Sequence, residues 1–255
     1  MHANASLAEM CRWLDEQLDV ARYAEVEPES NGLLFASAAG DGVSKIAVAV
    51  STSLAALFGA AKSGANLLVV HHPPWPGADL HLREEKLAAL DAANLSLYAA
   101  HASLDCAPRI GNGWALADAL GVTVEGTFAE YHGGHAGVYG RADGSFADFI
   151  ARTQRRLGAD VEAHNHARSF GRVALVPGGG GETAYVDEAR RLGCDTFVTG
   201  EGGLFTRMFA KECGVNLLLG THQSTEAPGI RALGERLGEH AGIPWEFIDE
   251  SPDVF

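Results

Sequence analysis

The sequence predicts an α/β fold made of two similar units, each with a mostly parallel sheet covered by helices. Three observations lead to this fold class. Short apolar runs alternate with helical patterns along the chain, polar residues follow several of these runs, and one strand–helix block occurs twice. The 255 residues, 47% of them hydrophobic and 20% charged, suffice for one large domain or two small ones.

The first unit, predicted as residues 1–126, opens with a helix and then alternates strands with helices. At its centre lies the stretch L-L-V-V-H-H-P-P-W-P, in which a buried strand runs into His71 and His72. The prolines that follow prevent further regular pairing, so both imidazoles can face one cavity at the strand end. The predicted strands are 33–38, 45–50, 66–70 and 95–100, and the predicted helices are 7–18, 54–63, 82–93 and 112–120.

The second unit, predicted as residues 127–255, repeats this pattern. Its last helix is expected near Ile230, with Pro228 at an early helical position and Glu226 just before the helix. The glycine-rich segment 177–181 could be an anion-binding nest or a tight strand-to-helix turn, and the absence of a P-loop lysine favours the turn. The other predicted elements are strands 172–176, 195–198 and 216–219 and helices 146–157, 182–192 and 204–213.

The two units match segment by segment, which indicates an internal repeat. Residues 63–72 align with 192–201, and residues 97–105 align with 217–226 with an offset of one residue. In both units the second segment ends in His-x-x-x-Asp or His-x-x-x-Glu. Ligands of open α/β sheets bind at the carboxyl ends of the strands. We therefore expect the polar residues at these ends to form a site between the units.

Histidines and carboxylates collect at these strand ends and indicate a metal site. Imidazole with carboxylate suits zinc, manganese, iron or cobalt, whereas magnesium and calcium prefer oxygen ligands alone. The set is too large for one catalytic zinc ion and suits two ions that share a carboxylate. The candidates are His71, His72, His101, Asp105, His222 and Glu226, with Ser51, Thr199 and Glu201 at nearby strand ends.

Each candidate also has a purely structural explanation. His71 and His72 could be hydrogen-bonded histidines at a strand end, and Asp105 could hold its own loop. His222 and Glu226 could be an i,i+4 pair near a helix start. We favour the metal site because each unit supplies partners for the other.

Charge and composition narrow the possible partners. The net charge of −14 repels phosphate backbones, so we expect no nucleic-acid binding. No apolar run reaches the length of a membrane span, and residues 1–10 lack the features of a signal peptide. The cysteines at positions 11, 106, 194 and 213 are too sparse for a disulfide scaffold. We expect a cytoplasmic protein with reduced thiols.

Three motifs resemble those of one protein family. The segments V-V-H-H-P, H-A-S-L-D and T-H-Q-S-T-E, in this order, resemble the signature of the NIF-three-like (Ngg-one interacting factor three-like) dinuclear metal proteins. Members are often named GTP cyclohydrolase I type 2 homologs. The resemblance covers nearly the whole chain and implies a two-part α/β fold, a homohexamer and two divalent ions per chain. The chain differs from many members at Ser51, where an acidic residue is common, and at residues 202–205, where a histidine is common.

The resemblance also implies roles for the candidate residues. The implied metal ligands are His71, His72, Asp105, His222 and Glu226. His101 would lie beside these ligands, and His101 and Glu226 are the candidate catalytic residues. Because five protein ligands are few for two ions, we expect one carboxylate to bridge them. Glu226 is the best candidate, since its side chain is longer than that of Asp105.

Two functions follow from this ligand set. The leading hypothesis is a metal-dependent hydrolase in which two ions activate a water and stabilise the developing oxyanion. Its substrate would be a nucleotide, a phosphoester or a cyclic amide such as a purine ring. The alternative is a non-catalytic metal-binding oligomer that acts as a metal chaperone or as a regulatory protein that docks partners. Turnover that requires the metal would distinguish the first from the second.

Overall fold

The chain folds into two compact α/β units, each with its own sheet. The structure, a computed structural model, describes residues 5–250. The first unit comprises the described residues up to Ala107 together with those from Ile230 onwards, and the second comprises Pro108–Gly229. The boundary predicted after residue 126 lies inside a strand of the second unit, and the end of the chain returns to the first unit.

The elements follow one another in the alternating order expected of an α/β chain. The strands are β1 (Ala5–Ser6), β2 (Asn31–Phe35), β3 (Gly42–Val43), β4 (Ile46–Ser51), β5 (Leu67–His72), β6 (Ser96–Ala100), β7 (Val122–Tyr131), β8 (Gly134–Ala142), β9 (Glu162–His164), β10 (Arg172–Val176), β11 (Thr196–Thr199), β12 (Asn216–Leu219) and β13 (Trp245–Phe247). The helices are α1 (Leu7–Leu18), α2 (Val20–Ala24), α3 (Leu54–Ser63), α4 (Pro76–Asp79), α5 (Leu82–Ala92), α6 (Ala102–Asp105), α7 (Asn112–Ala119), α8 (Phe146–Leu157), α9 (Thr183–Arg191), α10 (Leu204–Cys213) and α11 (His222–Ala241).

The main sheet of the first unit has the strand order β13-β4-β5-β6-β2. All its neighbours pair in parallel except β2, which runs antiparallel to β6. Strands β4, β5 and β6 are almost completely buried, as continuous apolar runs covered on both faces should be. Because these strands are parallel, their carboxyl ends lie at one edge of the sheet. That edge carries Ser51 opposite His72, with His101 directly after β6.

The sheet of the second unit is mixed, with the order β7-β8-β10-β11-β12-β9. Its centre, β10-β11-β12, is parallel like β4-β5-β6, which matches the repeat seen in the sequence. Its flanks are antiparallel, so the expectation of a mostly parallel sheet describes the first unit better than the second. The difference arises from the long β7–β8 hairpin, whose partly exposed strands lack the continuous apolar run of a central strand.

The start of the last helix differs from the expected position near Ile230. Helix α11 begins at His222 and contains Pro228, so Glu226 lies within the helix rather than before it. The cause is a reciprocal capping arrangement at residues 221 and 224. The backbone N–H of Ser224 donates to Thr221 Oγ1 at 3.0 Å, and that of Thr221 donates to Ser224 Oγ at 3.1 Å. The sequence signal for this cap is the Thr-x-x-Ser spacing.

Within residues 5–250, no helix combines the length and the apolar character needed to span a bilayer.

The four cysteines are free thiols, and Cys11, Cys106 and Cys194 are buried. Burial raises the pKa of each of these three thiols to about 12. They therefore stay protonated at neutral pH and act as small apolar side chains.

Candidate metal centre

The two adjacent histidines end strand β5. His71 is fully buried and His72 is half-buried. Neighbouring residues of a regular strand point to opposite faces. Here, however, the ring centroids lie only 4.6 Å apart, with 44° between the ring planes. The two imidazoles therefore occupy the same region at the strand end, as the sequence predicts.

His101 joins this pair from the end of the neighbouring strand. Its ring centroid lies 4.8 Å from that of His71 and 5.7 Å from that of His72. The three residues offer ligand atoms that all lie within 4.8 Å of one another. Nitrogen ligands of a tetrahedral zinc ion are about 3.4 Å apart, so a small adjustment would bring these imidazoles to ligand spacing. The structure thus places His101 among the predicted ligands.

Asp105 is the last residue of the short helix α6, which begins directly after His101. Its Oδ1 lies 3.6 Å from Nε2 of His71. Asp105 therefore belongs to a helix and faces a predicted ligand, whereas the alternative explanation had it holding its own loop. The first unit brings four of the candidate residues together: His71, His72, His101 and Asp105.

Hydrogen bonds at Nδ1 orient all three imidazoles of the first unit. Nδ1 of His71 lies 2.7 Å from the Ala100 carbonyl, which can only accept, so this nitrogen carries the proton. Nδ1 of His101 lies 2.9 and 3.0 Å from the carboxylate oxygens of Glu27. Nδ1 of His72 lies 3.0 Å from Ser51 Oγ, a hydroxyl that can donate or accept. Each ring is thereby held so that Nε2 is the nitrogen that can bind a metal ion.

The second unit brings together His222, Glu226 and Glu201. Nδ1 of His222 lies 2.9 Å from Glu201 Oε1, and Nε2 lies 3.1 Å from Glu226 Oε1. The hydrogen bond to Glu226 raises the pKa of His222 to about 9, with a smaller contribution from Glu201. Glu226 is buried, whereas Glu201 is largely exposed. A metal ion at Nε2 would have to replace the proton that His222 shares with Glu226.

Glycines at the strand ends of the second unit make room for this pair. Gly178 has a φ of +60°, and a Cβ on it would lie 1.9 Å from Glu226 Oε1. Its N–H donates to Thr225 Oγ1 at 2.9 Å, and its carbonyl accepts from the N–H of Glu201 at 3.0 Å. Because the N–H of Gly178 is used within the fold, the glycine-rich segment is a tight turn that supports the His222–Glu226 pair. Thr199, a weaker candidate, is buried and donates to the Gly178 carbonyl at 3.3 Å.

Trp75 packs against the histidines of the first unit. Its ring lies edge-on to His101 at 4.9 Å between centroids and 5.5 Å from His72. Its Nε1–H donates to Ser30 Oγ at 2.8 Å. The indole of Trp75 therefore packs against the imidazoles of His72 and His101.

Two carboxylates near the site are not among the sequence candidates. Glu27 holds His101, as described above, and Glu250 holds the end of β4. Glu250 accepts from the N–H of Ser51 at 2.8 Å and from Ser53 Oγ at 2.6 Å, and burial raises its pKa. No motif marks either residue, because each is brought to the site by the fold from a segment distant in sequence.

Comparisons with known proteins agree over nearly all of the chain. The model of the family described as Duf34/NIF3 (NGG1p interacting factor 3) matches residues 5–253. A relative from Deinococcus radiodurans, named GTP cyclohydrolase 1 type 2 homolog, is 36% identical over 247 residues, which cover 94% of this chain and 92% of the relative. A relative of the same name from Halobacterium salinarum is 34% identical over 244 residues, covering 92% and 94%. The solved structure of protein ybgI superposes with a TM-score of 0.83 at 31% identity, covering 96% of this chain and 98% of that one.

Proposed function

Because the chain belongs to the Duf34/NIF3 family, we propose that it binds two divalent metal ions and acts as a metal-dependent hydrolase. The ligands in this proposal are those that the sequence predicts: His71, His72, Asp105, His222 and Glu226. His101 and Glu226 are the proposed catalytic residues. Zinc, manganese, iron and cobalt all suit this mixture of imidazole and carboxylate.

The observation that carries the proposal is the hydrogen bond at Nδ1 of every predicted-site histidine. The partners are the Ala100 carbonyl, the Ser51 hydroxyl and the carboxylates of Glu27 and Glu201. Metal-binding histidines almost always have such a partner on the second ring nitrogen, because it fixes the ring and makes the ligand nitrogen more basic. An ordinary buried histidine needs no such pattern repeated at four positions. The donor set therefore fits a metal ion.

In this proposal each residue of the site has its own role in hydrolysis. When bound, the ions supply Lewis-acid polarisation of the scissile group and lower the pKa of water. The buried His71 and the half-buried His72 place ligand nitrogens where bulk water has limited access. His101, with its proton on Nδ1, offers Nε2 as a proton acceptor. Glu226 contributes a buried carboxylate that two ions could share.

The substrate class that we propose is a nucleotide, a phosphoester or a cyclic amide such as a purine ring. The name of the relatives, GTP cyclohydrolase 1 type 2 homolog, puts GTP among the first compounds to test. The net charge of −14 makes the metal ions more important for binding any phosphate, since the protein surface as a whole repels it.

A substrate screen with a matched variant tests this function. Metal-free protein would be loaded with manganese, zinc, iron or cobalt and incubated with GTP, other nucleotides and generic phosphoesters. We expect turnover that requires the metal, that His71→Ala abolishes and that His132→Ala retains, because His132 is exposed at the turn of the β7–β8 hairpin. Tight stoichiometric metal without turnover on any compound would instead favour a non-catalytic metal-binding protein, such as a chaperone or a regulator.

A further inference from the structure

Two strands flank the end of β4, one on each side. On one side β5 pairs with β4 in parallel, which brings His72 opposite Ser51, the last residue of β4. On the other side β13 also runs parallel to β4, with Phe247 opposite Val48. Three positions further along both segments Glu250 reaches Ser51, whose N–H donates to Glu250 Oε2 at 2.8 Å. Glu250 and His72 therefore meet β4 at the same residue, from opposite sides.

The carboxylate of Glu250 also ties the end of β4 to the start of α3. Its other oxygen, Oε1, accepts a hydrogen bond from Ser53 Oγ at 2.6 Å. Ser53 is the N-cap of α3, and its Oγ accepts in turn from the N–H of Ala56 at 3.0 Å. Only 8% of Glu250 is exposed, so water competes little for these hydrogen bonds. One buried side chain thus fixes both ends of the turn after β4, residues 51–53.

The turn after β4 is hydrogen-bonded to His72 at three points. The N–H and the Oγ1 of Thr52 both donate to the carbonyl of His72 at 2.9 Å. The Oγ of Ser51 lies 3.0 Å from Nδ1 of the His72 ring. The backbone and the ring of this candidate ligand are therefore both held by residues that Glu250 fixes.

A carboxylate at position 250 needs an explanation, because burying a charge costs free energy. Burial raises the pKa of Glu250, while the hydrogen bonds from Ser51 and Ser53 act in the opposite direction. Helix α3 does not depend on Glu250 for its cap, since Ser53 already caps it through its own Oγ. What the carboxylate adds is an acceptor for the N–H of Ser51, the residue that contacts the His72 ring.

We propose that Glu250 is a positioning residue of the candidate metal centre, which holds the turn after β4 where Ser51 and Thr52 orient His72. The consequence for metal binding rests on the proposed function. The hydrogen bonds that lead from Glu250 to His72 are a property of the metal-free protein. A carboxylate could also favour a cation through its negative charge alone, without holding any residue in place.

Two substitutions at position 250 separate position from charge. Glu250→Leu fills a similar volume but accepts no hydrogen bond, so the N–H of Ser51 loses its acceptor. Glu250→Gln removes the same charge and keeps one accepting oxygen. Because a backbone N–H can only donate whereas a hydroxyl can also accept, this oxygen should face Ser51 and the NH₂ group should face Ser53 Oγ. We therefore expect Glu250→Gln to keep the turn after β4 in place.

Zinc affinity of the folded variants measures the effect on the metal centre. Zinc would be competed with a chromophoric chelator at a temperature where circular dichroism shows every variant to be folded, since lower stability alone then leaves the affinity unchanged. We expect Glu250→Leu to weaken zinc binding by at least about 10-fold and Glu250→Gln to bind zinc nearly as tightly as the natural protein. Glu246→Leu is the matched control and should bind zinc normally, because Glu246 lies in β13 and its exposed carboxylate pairs with Lys45.

Either of two affinity results would overturn the inference. Equal losses in Glu250→Leu and Glu250→Gln would show that only the charge matters, and an unchanged affinity in Glu250→Leu would show that the carboxylate does not support His72. If Glu250→Leu does not fold, Glu250→Ala takes its place, because alanine also accepts no hydrogen bond through its side chain.

Hydrogen exchange of the metal-free proteins tests the hydrogen bonds themselves. In Glu250→Leu the amides of Ser51 and Thr52 should both exchange faster than in the natural protein, and in Glu250→Gln both should stay protected. Faster exchange at Ser51 alone would show that the effect stops before His72, which contradicts the inference. If the natural protein binds no divalent ion, the proposed function fails, while the exchange rates still decide whether Glu250 holds the residues that bind His72.

Discussion

At the scale of single residues, the four histidines of the candidate metal centre differ in the group that is hydrogen-bonded to Nδ1. Nδ1 of each of these histidines is within hydrogen-bonding distance of a polar group, and these groups differ in their strength as hydrogen-bond acceptors. A carboxylate makes Nε2 more basic than a hydroxyl does, because it stabilises positive charge on the ring. By this criterion His101 and His222 are held by stronger acceptors than His72, whose partner is the hydroxyl of Ser51.

Removing the hydroxyl of Ser51 should weaken metal binding without removing a ligand. Ser51→Ala deletes the 3.0 Å contact with Nδ1 of His72, and changes of this kind lower metal affinity by ~10–100-fold. Competition with a chromophoric chelator measures the affinity. Ser44→Ala is the control, because Ser44 is exposed and it is the backbone N–H of this residue that donates to Asn66 Oδ1. Equal affinities of the two variants would show that Ser51 does not support the ligand.

Replacing Glu226 and Asp105 by their neutral amides should lower the metal content to different extents. If Glu226 bridges two ions, Glu226→Gln removes a charge from both, and near-total metal loss after extensive dialysis is expected. Asp105→Asn should cause only partial loss, since Asp105 would serve one ion. Metal analysis of the dialysed proteins measures both. Retention of two ions per chain by Glu226→Gln would contradict the bridge and make Glu201 the next residue to test.

At the scale of elements, the candidate residues lie at the carboxyl ends of strands and in the segments directly after them. Helices α3, α8 and α10 have the bounds predicted from the sequence, because serine or glycine caps mark their ends. The start of α11 was not predictable from Pro228, since the Thr221 cap overrides the preference of proline for a first turn. The antiparallel flanks of the second sheet depend on which strands pair with each other, and the hydrophobic periodicity of the sequence does not reveal this pairing.

The turn after β10 provides a test at this scale. Gly178→Ala forces a side chain into a left-handed backbone conformation and places a Cβ 1.9 Å from Glu226 Oε1. We expect a loss of at least ~1–3 kcal/mol in the free energy of unfolding, together with weaker metal binding because Glu226 must move. Chemical denaturation measures the first effect. Gly171→Ala is the control, since a Cβ there meets nothing within 4 Å and its φ is not positive. Similar stability of the two variants would contradict the account of this turn.

At the scale of the whole chain, the division into units depends on where distant segments pair. The sequence predicts two α/β units and their repeated strand–helix blocks, and both sheets contain the three parallel strands of that repeat. It does not predict that β13 pairs with β4, because nothing in a three-residue strand specifies its neighbour. Nor does the sequence predict the contact between Glu27 and His101, because these residues are 74 positions apart.

The assembly that the resemblance implies is a homohexamer, and its mass is directly measurable. We propose six copies, so light scattering after size-exclusion chromatography at micromolar concentration should give about six times the 26.8 kDa of one chain. The exposed Leu204, Phe205 and Met208 of α10 form an apolar patch on one helix, the kind of surface that oligomers cover. A mass of 26.8 kDa at that concentration would contradict the proposal.

We propose that this chain binds two divalent ions through His71, His72, Asp105, His222 and Glu226. Anomalous diffraction from crystals of the metal-loaded protein, collected on both sides of the absorption edge of the added metal, tests it most directly. We expect two anomalous peaks per chain, each within bonding distance of residues of this set, and the loss of both in Glu226→Gln. A single peak, or peaks bound by residues outside this set, would contradict it.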